Sequence, residues 1–145
     1  MTDYNHILLA TDLSDKSDYV AEQAKKMADK SSAKLSTIYV MEHSPAAYGG
    51  EFSIPIDANL EEILEKQARD TLAKLGKKYG IDAAHQHLAN GSVKMAVAET
   101  AEEIKADLII VGTHSHHGLD VLLGSRANAI LHRAKCDVLV VRIKE

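Results

Sequence analysis

Disulfide staples are excluded at the outset, because the chain holds a single cysteine, Cys136. That count also excludes a zinc site built on several thiolates, and a reducing, cytoplasmic setting is the expected one. Proline occurs twice and tryptophan not at all, and Phe52 is the single phenylalanine beside five tyrosines. A core without large rings must be assembled from Ala, Val, Ile and Leu, which suits close helix and sheet layers. Long apolar runs are missing too. Stretches such as Ile7–Ala10 and Leu108–Val111 fall far short of the roughly 20 residues that cross a bilayer. No basic stretch followed by an apolar core stands at Met1, so neither a secretory leader nor a membrane partner is expected. Positive charge is in deficit, with 17 Lys and Arg against 21 Asp and Glu. A net charge of −4 does little to neutralise phosphate backbones, so nucleic acid is not the expected partner. What is present is a chain of 145 residues, 46% hydrophobic and 26% charged, of a size for one domain with a real core.

Hydrophobic periodicity alternates between strand and helix along the whole chain. His6–Ala10 reads as a strand buried on both faces, and Ser14 is placed to cap the helix that carries Val20, Ala24, Met27 and Ala28. Lys34–Val40 is the second strand. A long helix starts near Asp57–Asn59 with Leu60, Leu64, Ala68, Leu72, Leu75 and Tyr79 on one stripe, and Gly80 stops it. Ala83–Leu88 is a polar strand, fit for a sheet edge, with His85 and His87 expected at the surface. Asn90-Gly91 turns the chain into a helix capped by Ser92, which bears Val93, Val97, Ala101 and Ile104. Ala106–Val111 is the most apolar strand, Gly124-Ser125 opens the last helix, and Asp137–Ile143 is the fifth strand.

Five strands alternating with four helices predict a single-domain, three-layer α/β sandwich over residues 1–145. The most apolar strands, the first and fourth, belong at the centre and the polar third at one edge, which predicts the order 3-2-1-4-5. Such a sheet reverses direction between strands one and four, and open α/β sheets bind ligands beyond the carboxyl ends at that point. Asp12 and the segment Gly112–Ser125 fall there. Gly112 is expected to let the backbone turn and approach a ligand, while the N–H groups that open the last helix, with the Ser125 hydroxyl, suit an anion. Asp12 is placed to accept hydrogen bonds from a ribose or to hold a divalent cation. The same glycines also describe an ordinary tight βα connection.

Several segments together carry a more specific signal: Ile7-Leu-Leu-Ala-Thr-Asp12-Leu-Ser14, Gly91-Ser-Val93, Asp107-Leu-Ile-Ile-Val-Gly-Thr-His114, Leu122-Leu-Gly-Ser125 and Cys136-Asp-Val-Leu-Val-Val-Arg142. In this order, over the whole chain, they resemble the universal stress protein family. The resemblance implies a Rossmann-like five-stranded parallel sheet, a homodimer and, in the nucleotide-binding members, a G-x2-G-x9-G-[ST] motif that wraps the phosphates and ribose of ATP; Mg²⁺ is expected with the nucleotide, at Asp12. Carried over, it implies Asp12 and Val40 on the nucleoside and Gly112, Gly124 and Ser125 on the phosphates and ribose. Ala10, Thr11, His114, Ser115, Gly118 and Arg126 complete the candidate set. Ser115 stands where the second glycine belongs, and the interval to Gly124 is one residue short. The front half, Tyr4–Ser14 with the Asp57-Ala-Asn-Leu helix start, is similar to a branch without the glycine motif and without ATP.

Three readings of function follow. One is an ATP-binding stress or signalling module; another is a nucleotide-free dimer acting on a further protein through contacts alone. The third, an enzyme, lacks support: there is no G-x-x-x-x-G-K-[ST] loop, and Thr11-Asp12-Leu13-Ser14 stands where related pyrophosphatases carry Ser-Gly-Gly. At most slow ATP turnover is expected. His114, His116 and His117 with Asp12 or Asp120 suggest a metal site, or simply solvated loop histidines. Glu42–Pro55, with Tyr48 and Phe52, is either a cover over the nucleotide or a surface loop packed on the long helix. The fifth strand is too apolar for a bare edge, so Val138, Val140 and Arg142 are expected to pair antiparallel with their own copies.

Overall fold

The computed structural model describes residues 4–14, 16–41, 58–113 and 125–143; of residues 58–60 and 125–126 it describes the backbone. In chain order the elements are β1 (His6–Thr11), α1 (Ser17–Ser31), β2 (Lys34–Met41), α2 (Ala58–Tyr79), a 3₁₀ turn (Ala83–His85), β3 (Gln86–Asn90), α3 (Val93–Glu103), β4 (Leu108–Gly112), α4 (Ser125–Arg133) and β5 (Asp137–Val141). All strand pairs are parallel and the order is β3-β2-β1-β4-β5, as predicted.

Alternation along the strands builds the layers. Ile7 and Leu9 of β1 and Leu108 and Ile110 of β4 face one side, where Val20, Ala21 and Ala24 of α1 and Leu72 and Leu75 of α2 cover them. Leu8, Ile109 and Val111 face the other, against Val97 and Ala101 of α3 and Ala127 and Ile130 of α4. Ile7, Leu8, Ile109 and Ile110 are wholly inaccessible. Burying each such side chain is worth roughly 1.5–3 kcal/mol, so β1 and β4 anchor the centre. Alanines on α1 explain how the helix approaches so closely without aromatic filler.

Local expectations needed correction where backbone geometry overrode pattern. Ser14 does not cap α1, which starts at Ser17 behind Lys16 without a side-chain cap; the Ser14 carbonyl accepts the Ser17 N–H at 3.0 Å. Ser92 stands at the start of α3, but its carbonyl rather than its hydroxyl makes the bond there, to the Ala96 N–H at 2.9 Å. The third strand begins at Gln86, because Ala83–His85 closes a 3₁₀ turn on Asp82. His85 and His87 are consequently half-buried rather than surface residues. Only the second half of the α2 stripe is sunk in the core: Leu72 and Leu75 are buried, while Leu64 is 36% exposed. The fourth strand runs through Gly112, and the fifth stops at Val141. Gly80, at φ +71°, ends α2 as expected, and Gly91 turns at φ +111°.

Candidate functional site

The helices that follow β1 and β4, α1 and α4, cover opposite faces of the sheet, and a cavity opens at the carboxyl ends of the two strands. Ala10, Thr11, Asp12, Val40 and Gly112 line it together, so the predicted residues among those described do converge. Its inner wall is apolar, supplied by Ile38, Val93, Val97, Val111 and Ile130. These wall residues were not anticipated as site residues. They belong to the same strand alternation and helical stripes that build the core, and only their place at the carboxyl end distinguishes them. His114, Ser115, Gly118 and Gly124, the proposed metal-ligand histidines, Asp120 and the Glu42–Pro55 segment lie outside the described residues, as do the side chains of Ser125 and Arg126.

The rim is held by a strained turn. Leu13 adopts φ +55°, a left-handed conformation unfavourable for a residue with a Cβ. Two side chains stabilise it: Thr11 Oγ1 accepts the Leu13 N–H at 3.1 Å, and Asp12 Oδ1 accepts the Ser14 N–H at 2.9 Å. The carboxylate is thereby fixed beside the end of β2, since Thr11 pairs with Tyr39 across the ladder. Asp12 and Tyr39 also border a second, open groove of about 450 Å³ beneath α2, which Glu61 and Glu65 make acidic. Phosphate is disfavoured beside those carboxylates. An anionic group is better received towards α4, whose N-terminus, following β4 in a parallel unit, lies at the carboxyl end of the sheet.

Gly112 has a different role from the expected one. Its backbone is paired in β4 opposite Val141 rather than sharply turned. A Cβ there would lie 2.6 Å from Val20 Cγ2 and 3.0 Å from Ile143 Cδ1. The missing side chain makes room for α1 and the end of the chain. The enclosed part of the cavity is small, about 50 Å³, against the roughly 300–1,000 Å³ of preformed ligand pockets. The enclosed volume therefore admits no more than the edge of a ring, and any larger ligand has to lie across the mouth. Among the described residues no group of three or more His, Cys, Asp or Glu side chains is arranged to hold a metal. Mg²⁺ carried on phosphates requires less, one or two carboxylates, and Asp12 suits that demand.

Comparison with known proteins decides the family, because residues 3–142 match the universal stress protein family over nearly the whole chain. The chain belongs to the universal stress protein family. It is 54% identical over 142 residues to universal stress protein A homolog 1 of Coxiella burnetii, covering 98% of this chain and 99% of that one. Among solved structures it is similar to UspA of Lactobacillus plantarum, with TM-score 0.74 and 23% identity over 98% of this chain and 100% of that one, which bears on the fold. It is also similar to a universal stress protein solved in complex with cAMP, with TM-score 0.65 and 25% identity over 97% of this chain and 98% of that one. No helix among the described residues is long and apolar enough to cross a membrane.

Proposed function

We propose that this universal stress protein binds an adenine nucleotide, ATP with Mg²⁺, across the carboxyl ends of β1, β2 and β4, and works as a nucleotide-dependent regulatory dimer in the cytoplasm. The observation that carries this reading is the convergence of Thr11, Asp12, Val40 and Gly112 on one cavity with an apolar wall at the reversal of the sheet. The relative solved with cAMP supports a nucleotide as the ligand class. In this reading Val40 and the apolar wall receive the base, Asp12 accepts from the ribose or meets Mg²⁺, and the start of α4 faces the phosphates. Asp12 is the single carboxylate among the described residues lining the cavity. Without a partnered acid and base, turnover stays far below the roughly 1–1,000 s⁻¹ of dedicated enzymes.

Titration calorimetry with ATP, with and without Mg²⁺, tests the reading. Saturable heat is expected, and Asp12→Asn, which preserves the turn acceptor while removing the charge, should weaken binding about tenfold. No heat at millimolar ATP would leave the alternative, a nucleotide-free dimer acting through protein contacts. The small enclosed volume and the packing role of Gly112 favour that alternative. Phosphate release within the enzyme range, lost in Asp12→Asn, would overturn the non-enzymatic part.

A further inference from the structure

Towards the amino ends of the strands, away from the nucleotide cavity, His6 of β1, Ser36 of β2, His85 of the 3₁₀ turn and His87 of β3 gather beside the end of α3. His6 Nδ1 lies 3.0 Å from the Ile104 carbonyl, which can only accept, so Nδ1 carries the ring proton. His6 Nε2 lies 2.6 Å from Ser36 Oγ, and in the neutral ring it accepts from that hydroxyl. Ser36 is wholly buried. The neutral tautomer satisfies both nitrogens and the Ser36 hydroxyl at once; a proton on Nε2 turns Ser36 Oγ from donor into acceptor and leaves its wholly buried O–H without that partner. The His85 ring stands edge-on to His6, with centroids 6.2 Å apart. His87 Nε2 is buried with no hydrogen-bond partner among the described residues.

We propose that this cluster is an acid-operated latch: neutral, it ties the end of α3 to β1 and β2 through His6 and lets β3 keep His87 buried beside it, and protonation releases the β3 edge. Charged neighbours reach His6 from β2, from the 3₁₀ turn and from the residue just before β4. Lys34 and His85 oppose its protonation and Asp107 favours it; His87 is opposed by His85 and favoured by Glu103. Burial outweighs the favourable contacts and holds both rings below the ordinary imidazole value, in His6 against the pull of the Ile104 carbonyl. The folded chain therefore binds fewer protons than the unfolded one once pH falls below about 6.5. The latch is intact above that value and its contribution is lost progressively below it. β3 is the element that yields, because this five-residue strand is paired on one side alone, to β2, carries His87 and directly follows His85. Edge elements with few contacts open at the lowest free energy.

Hydrogen exchange of the whole protein at about pH 7 and about pH 5, corrected for intrinsic rates, tests the latch. Amides of Gln86–Asn90 should lose about tenfold or more of their protection at the lower pH while those of β4 hold theirs. In His87→Leu the acid-induced loss should shrink, whereas His132→Gln, an exposed position on α4, should leave it unchanged. Imidazole proton resonances of the unaltered protein provide a readout that needs no variant: two of the eight histidines should titrate below the ordinary value. Ordinary titration of all eight, equal loss of protection in β3 and β4, or an undiminished response in His87→Leu would overturn the proposal.

Discussion

Two residues share the same unfavourable backbone, and their surroundings give them opposite expected responses to glycine. Ser32 and Leu13 both sit at φ +55°. Ser32 ends α1, and its N–H reaches the Asp29 carbonyl at 3.3 Å while its own side chain is exposed. Replacing it by glycine removes the Cβ penalty of left-handed backbone and forfeits no packing. Ser32→Gly should therefore stabilise the fold by about 0.5–1 kcal/mol in urea unfolding. Leu13 packs against the core on the α1 side. Its strain relief of about 1 kcal/mol is outweighed by lost burial, so Leu13→Gly should destabilise by about 1 kcal/mol. It should also loosen the Asp12 turn. A stability gain in Leu13→Gly would show that the turn is not held by that packing.

At the scale of elements, the sequence pattern was most informative where one periodicity dominated. The apolar strands β1 and β4 and their central pairing were legible, because complete burial on both faces leaves little choice of residue type. The polar edge was legible for the complementary reason. The placement of Thr11, Asp12 and Gly112 followed from chain order alone, since βα connections in a parallel sheet gather at one end. What was not legible depended on distances between segments far apart in sequence. Val93 and Ile130 look like core residues wherever along their helices they fall, and the partner of the His6 ring, Ser36, stands 30 positions away. Gly76 is another such case. By helix propensity, alanine there should gain about 1 kcal/mol. The structure places the Ile81 carbonyl 2.7 Å from where its Cβ would be, with the Gln86 side chain closer still. Gly76→Ala should accordingly destabilise by about 1–3 kcal/mol, because the backbone carbonyl cannot move aside. Thermal melts of the two proteins check the sign.

For the whole molecule, the open question is what covers β5. Within one chain β5 pairs on one side, with β4, and its residues 138–141 are half-buried where those of β4 at 108–111 are buried. The direction of its backbone groups makes the proposed dimer testable. The Val141 carbonyl accepts the Thr113 N–H at 2.9 Å, so Val141 and, by alternation, Leu139 turn their amide groups towards β4. Val138 and Val140 then direct theirs outward, in register with the expected interface residue Arg142. In a dimer formed by antiparallel β5 strands about a two-fold axis, these outward groups complete the shared ladder. Val140→Pro removes one outward donor and leaves the β4 ladder whole. It should shift the protein from dimer to monomer in sedimentation at micromolar concentration while the chain stays folded. Leu139→Pro removes a donor from the β4 ladder instead and should unfold or strongly destabilise the chain. A monomeric unaltered protein, or a Val140→Pro variant that remains a full dimer, would rule out pairing through this edge.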